Sequence, residues 1–433
     1  MLDNLLFCLF GTIFGIFVGL APGVGITLPL ILLYQFLSDQ NILNVLIFYS
    51  ALLSASQYFG SIPTLCFGTP GETTSIPLLK IRKQIIDNNQ LEKTIVGTSV
   101  GSFLAAMLAI FFSIILLQNI PDLTFYLKTY FVLVVAFFGS IFCLFFSDNK
   151  IYQSLLLFVF GWITSKVGYN INTKEDFFTF GNIYLFGGFP TISIILGMYA
   201  FPKILEFVSV KNEIFYYNKK ITIDIYFIGS NIFTILRSSI IGFISGLIPF
   251  CGNFISSFLA FFIESKINPK KYYNQAIASE IANNSAYISV LFPLLALGVA
   301  LTPTEYILLD ILEKNNNFID IKNIKDIIFY VFMFLLFSNI LCLIFSCKTI
   351  SLIINIYTKT KIYSTSLFII FCLYTVATMG RENSQEIYYL ITLFGFSFVG
   401  YFLRKKDCIP FIFAFLLQNN VENSLNYFIL LYF

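Results

Sequence analysis

Histidine is absent from the 433-residue sequence, and charged residues make up only 11% of it. The absence of histidine excludes Ser-His-Asp and Cys-His catalytic triads, His-ligated zinc and histidine proton relays. The eight cysteines form no CxxC pair and lie mostly in apolar runs, where a small buried side chain is the expected role. The net charge of +3 gives no sign of a nucleic-acid partner.

Apolar residues dominate the chain instead and account for 58% of it. A transmembrane helix needs about 20 consecutive apolar residues. Apolar runs occur near residues 5–36, 42–67, 94–118, 122–147, 151–168, 189–208, 225–263, 275–306, 327–347, 363–379, 386–403 and 409–433. This pattern predicts an all-α polytopic membrane protein with about 10–12 transmembrane segments.

Turn-forming residues interrupt two of the longest runs, as GLAPGVG at 19–25 and GLIPFCG at 246–252. A second break follows each of them about fifty residues later, and the breaks align when the chain is offset against itself. An offset of 227 residues places Pro22 on Pro249 and Gly25 on Gly252, and an offset of 230 places Pro63 on Pro293, Gly68 on Gly298 and Thr74 on Thr304. We therefore predict two membrane halves, 1–208 and 223–433, joined by a polar connector at 209–222.

The basic loop changes its position between the two halves. In the first half it follows the second break, around Lys80 to Lys93, whereas the corresponding stretch 310–326 balances its lysines with acids. In the second half it is 264–271, whose counterpart 38–41 has no Lys or Arg. Because Lys and Arg accumulate in cytoplasmic loops, the exchange predicts that the halves are inverted in the membrane.

The breaks are the candidate binding sites. Unpaired backbone groups are tolerated at membrane depth only where protein or a water-filled cavity satisfies them. Broken helices offer N–H groups to anions and carbonyl groups to Na⁺. A single Pro-Gly pair is more often a simple kink, but breaks at repeat-related positions, each beside Ser, Thr or Asn, favour broken or re-entrant helices that form a site.

The candidate residues fall in four groups, one for each break. The predicted substrate or ion ligands are Pro22, Gly23, Val24 and Gly25; Ser61, Gly68, Thr69, Pro70, Gly71, Thr73, Thr74 and Ser75; Pro249, Gly252 and Asn253; and Asn283, Asn284, Ser285, Gly298, Thr302 and Thr304. Residues 23–25 and 68–75 would present backbone N–H groups to a carboxylate. The Thr, Ser and Asn side chains would present oxygens to substrate or Na⁺. Arg237 is interpreted as structural rather than as an anion ligand.

An ordered set of motifs resembles a known family, the large membrane subunit of the tripartite tricarboxylate transporters. The matching stretches are Gly19–Gly25, Gly60–Gly71, FFTFGNIYLFGGFPTISIILGMYAFPKIL at 177–205, Arg237 with Gly242, Gly246 and Pro249, Glu280 with Ala282, Asn283 and Asn284, PLLALG at 293–298, and 400–423. Three elements depart from the family pattern. The second Pro-Gly-x-Gly is here Pro249-Phe250-Cys251-Gly252, and Gly298–Leu301 lacks the family's Pro-Gly. PLLKIRKQ at 77–84 stands where the family has Thr-Thr-Leu-Asp-Gly-Tyr-Pro. We therefore expect residues 68–75 to carry more of the recognition than residues 298–305.

The resemblance implies a multi-pass carboxylate importer of the bacterial inner membrane that is not an enzyme. Its partners would be the lipid bilayer, a small membrane subunit, a periplasmic solute-binding protein and a small carboxylate, with no nucleic acid. No cofactor is implied beyond a coupling Na⁺ or H⁺. A stand-alone ion-coupled transporter or channel without a binding protein stays open as the alternative. A membrane-embedded enzyme is disfavoured, because the chain lacks histidine and paired intramembrane aspartates.

Overall fold

The fold is almost entirely helical. The computed structural model describes residues 2–20, 26–67, 73–118, 137, 140–141, 144, 149–170, 175–200, 225–248, 252–298, 300–314, 324–348, 369–370, 373–374, 376–378, 380–381, 385–403, 410–412 and 414–415. Its only described strands are β1 (Gly168–Asn170) and β2 (Glu175–Phe177), which pair antiparallel as a small hairpin. The predicted connector 209–222 lies outside these residues, so the boundaries of the two halves stay a prediction.

The helices of the first half are mostly apolar and include two short ones after the first break. They are α1 (Leu2–Leu20), α2 (Thr27–Leu32), α3 (Tyr34–Ser38), α4 (Ile42–Phe67), α5 (Ile76–Asp87), α6 (Leu91–Gln118), α7 (Ile151–Ser165) and α8 (Thr191–Ile195). A 3₁₀ turn at Thr73–Ser75 leads into α5, a second 3₁₀ turn lies at Ile183–Leu185, and a π-helical turn at Leu196–Ala200 continues α8.

The helices of the second half repeat the order of the first. They are α9 (Ile225–Gly246), α10 (Gly252–Ile267), α11 (Tyr272–Leu297), α12 (Pro303–Lys314), α13 (Ile324–Lys348) and α14 (Glu386–Phe402). Among the described residues, four stretches are long and apolar enough to span a membrane: Leu2–Leu20, Ile42–Cys66, Leu91–Leu116 and Asp326–Ser346. The chain is therefore the all-α polytopic membrane protein that its composition predicts.

Two successive helices of the first half match two of the second in length. Helices α4 and α11 both contain 26 residues, and an offset of 230 places one on the other from the first residue to the last. Each carries its internal proline, Pro63 or Pro293, four residues before its end. Helices α5 and α12 each contain 12 residues. These lengths agree with the offset of the aligned breaks, and the two repeat halves stay a prediction.

Glycines pack the first long helix of each half against its partner in equivalent ways. A Cβ on Gly15 would lie 2.5 Å from Leu52 O in α4, and one on Gly242 would lie 2.2 Å from Ala282 O in α11. One helical turn later, Gly19 stands against Ser56 O and Gly246 against Ala286 O. The glycines differ in number by 227 and their partners by 230, which are the two offsets found in the sequence. Small residues allow such close helix contacts in membranes.

One helix of each half also packs against the helices of the other half. Helix α6 of the first half packs on α9 and α11, and α13 of the second half packs on α1 and α4. Helices α4 and α11 cross where Asn283 Nδ2 donates to Gln57 Oε1. Before the crossing, residues 45–53 of α4 share a hydrophobic cluster with residues 288–296; after it, residues 55–66 share another with Ala276. The two helices therefore cross at the buried Gln57–Asn283 pair, with hydrophobic residues on both sides of it.

Candidate functional site

The crossing of α4 and α11 is polar although it is buried. Gln57 and Asn283 are each only 1% exposed, and their amides form one hydrogen bond of 3.2 Å. Gln57 Nε2 and Asn283 Oδ1 have no partner among the described residues. Because an amide pair uses one N–H group and one oxygen, a donor and an acceptor stay free here whichever way the two amides face. The crossing can therefore bind a ligand that both accepts and donates a hydrogen bond. It can also bind an anionic ligand together with a cation that contacts the free amide oxygen.

Neighbouring polar side chains connect this crossing to the other helices. Asn284 Nδ2 donates to Ser102 Oγ in α6 and to Glu280 O, both at 2.9 Å. Ser285 Oγ donates to Ser239 O in α9 at 2.7 Å. Asn284 and Ser285, which the sequence places in the site, thus hold α6 and α9 against α11 and position the crossing.

The second break of the first half lies beside the crossing and contacts α11. Ser75 Oγ lies 3.5 Å from Glu280 Oε1 in α11, and both residues are buried. Thr74 Oγ1 and Ser279 Oγ, beside them in sequence, are buried without a hydrogen-bond partner among the described residues. Unsatisfied polar groups are rare in native interiors and call for an explanation such as a bound ion.

We use the name polar crossing for the buried polar residues around the contact of α4 with α11. They are Gln57, Thr74, Ser75, Ser102, Ser279, Glu280, Asn283 and Asn284.

The same 3₁₀ turn, Thr73–Ser75, also packs against α10, which begins at the first break of the second half. A Cβ on Gly252, the first residue of α10, would lie 2.4 Å from Ser245 O, so only glycine fits there. Asn253 Oδ1 is buried without a partner among the described residues. These contacts bring the second break of one half to the first break of the other.

The reciprocal pair of breaks also meets. Thr27 Oγ1, directly after the first break of the first half, lies 2.9 Å from Thr304 Oγ1 at the second break of the second half. The two hydroxyls satisfy each other. The sequence analysis includes Thr304 but misses Thr27, although Thr27 is the first described polar residue after GLAPGVG.

The second break of the second half is closed by its own residues. Leu301 N and Thr302 N donate to Glu305 Oε2 at 2.6 and 3.0 Å, and Glu305 N donates to Thr302 Oγ1 at 3.3 Å. Thr302 and Glu305 thus form a capping box at the start of α12. Gly298 ends α11 in the left-handed region at φ 62°, a usual glycine position. This break keeps helix ends satisfied without the family's Pro-Gly.

Several predicted ligands cannot be compared with this geometry. Pro22, Gly23, Val24 and Gly25, Gly68, Thr69, Pro70 and Gly71, and Pro249 lie outside the described residues, and of Thr73 only the backbone is described. Ser61 is buried in α4, one turn after Gln57. The sequence analysis misses Gln57, Ser102 and Ser279; all three are polar residues inside apolar runs, and that is the signal that would have found them.

Arg237 has the structural role expected of it. Its guanidinium donates to Glu264 Oε2 in α10, and Glu264 is fully buried. Thr234 Oγ1 and Asn268 Nδ2 donate to the other carboxylate oxygen at 3.1 and 2.6 Å. The ion pair therefore fixes α9 against α10, and Arg237 is not available to a substrate anion.

We predict that Arg237→Leu will destabilise the protein by about 3–5 kcal/mol, because it leaves the buried Glu264 carboxylate without its counter-charge. The apparent melting temperature of detergent-solubilised protein, followed by size-exclusion after heating, measures this. Arg381→Leu is the control, since Arg381 pairs with Glu386 at an exposed position and should hardly change the melting temperature. Equal melting temperatures for the two variants would contradict a stabilising role for the buried pair.

No three His, Cys, Asp or Glu side chains come together to hold a metal ion in the part of the chain that is described. The polar crossing has a single carboxylate, Glu280, among neutral hydroxyls and amides. Such a donor set does not suit zinc or other transition metals, which prefer imidazole and thiolate ligands. It suits a small polar solute, or a hard monovalent cation.

Comparisons with known proteins agree with this architecture. The profile of the tripartite tricarboxylate transporter TctA family matches residues 5–413. A protein of Agrobacterium vitis, named as an uncharacterized 52.8 kDa protein in the TAR-I ttuC' 3' region, is 23% identical over 98% of this chain and 86% of its own length. An uncharacterized protein of Methanocaldococcus jannaschii is 24% identical over 93% of this chain and 94% of its own. No solved structure matches.

Proposed function

The chain belongs to the tripartite tricarboxylate transporter TctA family, and from this premise we propose that it is the permease subunit of a secondary transporter for tricarboxylates or other small organic carboxylates. The match to the family over residues 5–413 is the observation that carries the proposal. A family of tripartite transporters implies further subunits. We propose a small membrane subunit and a periplasmic solute-binding protein as these partners, and the bacterial inner membrane as the location.

The polar crossing supports a substrate site between the two halves. Secondary transporters built from inverted repeats bind their substrates near the midplane, where the repeats meet. Gln57 and Asn283 come from opposite halves and are both buried at this meeting point. A free amide N–H group there can donate to a substrate carboxylate, and the free amide oxygen can accept from a substrate hydroxyl or ligate an ion.

The arrangement of helices supports alternating access by movement of one bundle against another. Glycine contacts hold α1 against α4 in the first half and α9 against α11 in the second. Helix α6 of the first half packs on the second half, and α13 of the second half packs on the first. Opposite halves also meet at both pairs of breaks. A shift of one bundle would open the polar crossing first to one side of the membrane and then to the other. The breaks would act as hinges for this movement.

An ion gradient, rather than ATP, is the proposed energy source. We predict that radiolabelled citrate uptake by proteoliposomes containing the permease, its small subunit and its binding protein will follow an imposed Na⁺ or H⁺ gradient. Adding ATP without a gradient should give no uptake above that of empty liposomes. A panel of mono-, di- and tricarboxylates identifies the substrate, because the binding protein selects what reaches the permease.

Two outcomes of this experiment would change the proposal. Uptake that requires ATP, or no uptake of any carboxylate with all three subunits present, would contradict a secondary carboxylate transporter. Equal uptake with and without the binding protein would instead favour the stand-alone transporter. Gly229→Ala serves as the reconstitution control, because in the part of the chain that the structure describes no atom lies within 4 Å of a Cβ placed at that glycine.

A further inference from the structure

Two buried glutamates of the second half differ in their surroundings. Glu264 and Glu305 are both 0% exposed. Glu264 has a counter-charge, because Arg237 donates to one of its carboxylate oxygens. Glu305 forms no ion pair within the described part of the chain, and its Oε1 is buried there without a hydrogen-bond partner. Glu305 therefore lacks the kind of partner that makes the burial of a negative charge tolerable.

We propose that Glu305 binds a proton in this conformation of the permease and releases it during transport, so that H⁺ is the coupling ion. This inference rests on the proposed transport function and identifies the ion that drives it. The proton is assigned to Oε1. The site is separate from the polar crossing, because Tyr49, which interacts with Glu305 from α4, lies about two helical turns before Gln57.

The hydrogen bonds of Glu305 suit a neutral carboxyl group. Leu301 N and Thr302 N both donate to Oε2, at 2.6 and 3.0 Å. Because a carbonyl oxygen has two lone pairs, Oε2 can accept both bonds when the carboxyl group is protonated on Oε1. A buried ion without a counter-charge costs far more free energy than a buried neutral group without a partner. Such a group takes up a proton instead.

The helices packed against Glu305 bring no positive charge to it. Helix α12 packs against α2, α3 and α4, and the sequences of these three helices contain no Lys or Arg. Tyr49 of α4 interacts electrostatically with Glu305 and is within hydrogen-bonding reach of Thr302. Tyr34 of α3 donates to Asp310 Oδ2 at 2.7 Å, more than one turn further along α12. Neither hydroxyl supplies a cation, so a proton on the carboxyl group itself is the remaining way to neutralise it.

A proton fits this position better than a metal cation does. Hard cations take several oxygen ligands at once. Around Glu305, α12 instead contributes apolar side chains such as Ile307 and Leu308 to the main hydrophobic cluster. The nearby Thr302 Oγ1 already accepts from Glu305 N at 3.3 Å. A proton needs only the carboxyl oxygen to which it is bonded.

Release of this proton would be linked to movement at the paired breaks. An ionised Glu305 needs water or a counter-charge, so α12 has to shift relative to α2, α3 and α4 before the proton leaves. The same helix carries Thr304, whose hydroxyl lies 2.9 Å from that of Thr27 and joins the second break of one half to the first break of the other. Loss of the proton and opening of this contact would therefore accompany each other.

The test compares infrared spectra of the purified permease at neutral pH, without carboxylate or binding protein and in a detergent without ester groups. A neutral carboxyl group has a C=O stretching band separate from the bands of ionised carboxylates. We expect this band in the wild type and its loss in Glu305→Gln, whose amide oxygen can still accept from Leu301 N and Thr302 N. Glu264→Gln is the matched control, because Glu264 is equally buried but paired with Arg237, and it should leave the band unchanged.

Uptake by proteoliposomes containing the full transporter gives a second readout. Glu305→Gln should lose the carboxylate uptake that an imposed pH gradient drives, down to the level of empty liposomes. Glu386→Gln is the control here, because it changes only an exposed ion pair with Arg381 and should keep this uptake.

Three results would overturn the proposal. One is an unchanged carboxyl band in Glu305→Gln, and another is wild-type uptake that follows a Na⁺ gradient but not a pH gradient. The third is Glu305→Gln protein that does not fold, because glutamine has the shape of the neutral acid and its failure would mean that the negative charge is required. Failure of the transport proposal is distinguishable, since it would appear as wild-type protein that shows the band but takes up no carboxylate under any gradient.

Discussion

Gly246→Val will prevent the protein from reaching its folded state. A Cβ at Gly246 would lie 2.4 Å from Ala286 O and 2.6 Å from Ala286 Cα in α11, and 2.1 Å from Ser289 Oγ. Two of these atoms belong to the backbone and cannot move aside without separating α9 from α11. Overpacking a well-packed site costs about 1–3 kcal/mol, and a helix interface forced apart should cost more than about 3 kcal/mol. We expect little or no monodisperse protein by fluorescence-detected size exclusion.

Gly229→Val, in the same helix, is the matched control for this prediction. No atom of the described residues lies within 4 Å of a Cβ at Gly229, and the residue is exposed on the surface of the described bundle. The valine there should leave yield and melting temperature near those of the wild type. If Gly246→Val and Gly229→Val gave the same elution profile and melting temperature, the close contact between α9 and α11 would be wrong.

The long helices and their repeat are predictable from the sequence because they depend on local chemistry. Apolar runs of sufficient length give the spans, and Pro and Gly mark where these end. The offset of 230 that aligns Pro63 with Pro293 also aligns the ends of α4 and α11. The inverted orientation of the halves stays a prediction from the distribution of lysines and arginines.

The closed second break shows why local alignment is not enough. Placing Gly298 on Gly68 suggests a site that has lost its Pro-Gly. In the structure Gly298 ends α11, and Thr302 and Glu305 cap the next helix. The Thr-x-x-Glu spacing of a capping box is present in the sequence. Its role depends on where α12 begins, which in the structure is Pro303.

Sequence patterns could not predict contacts between residues that lie far apart in the chain. Gln57 meets Asn283 across 226 positions, and Ser75 meets Glu280 across 205. Neither Gln57 nor Ser279 lies near a Pro-Gly break, so the search for interrupted helices passes over both. Each has a buried polar atom, Gln57 Nε2 or Ser279 Oγ, without a partner among the described residues, and this is a property of the assembled bundle rather than of a sequence window.

Asn283→Ala is expected to abolish carboxylate uptake. The substitution removes the free amide oxygen and leaves Gln57 without its partner in the middle of the crossing. Leaving a buried polar group unpaired also costs about 1–3 kcal/mol of stability, so uptake must be compared at equal amounts of folded protein. Asn339→Ala provides the control, because Asn339 in α13 is equally buried and its Oδ1 also has no partner among the described residues. It lies outside the polar crossing.

Uptake of carboxylate by vesicles containing these two variants tests most directly whether the polar crossing is the transport site. With folded protein matched by size exclusion and an imposed ion gradient, we predict that Asn339→Ala transports at a rate close to the wild type. Asn283→Ala should transport no faster than vesicles that lack the permease. Wild-type uptake by Asn283→Ala, or an equal loss in both variants, would contradict a substrate site at the crossing of α4 and α11.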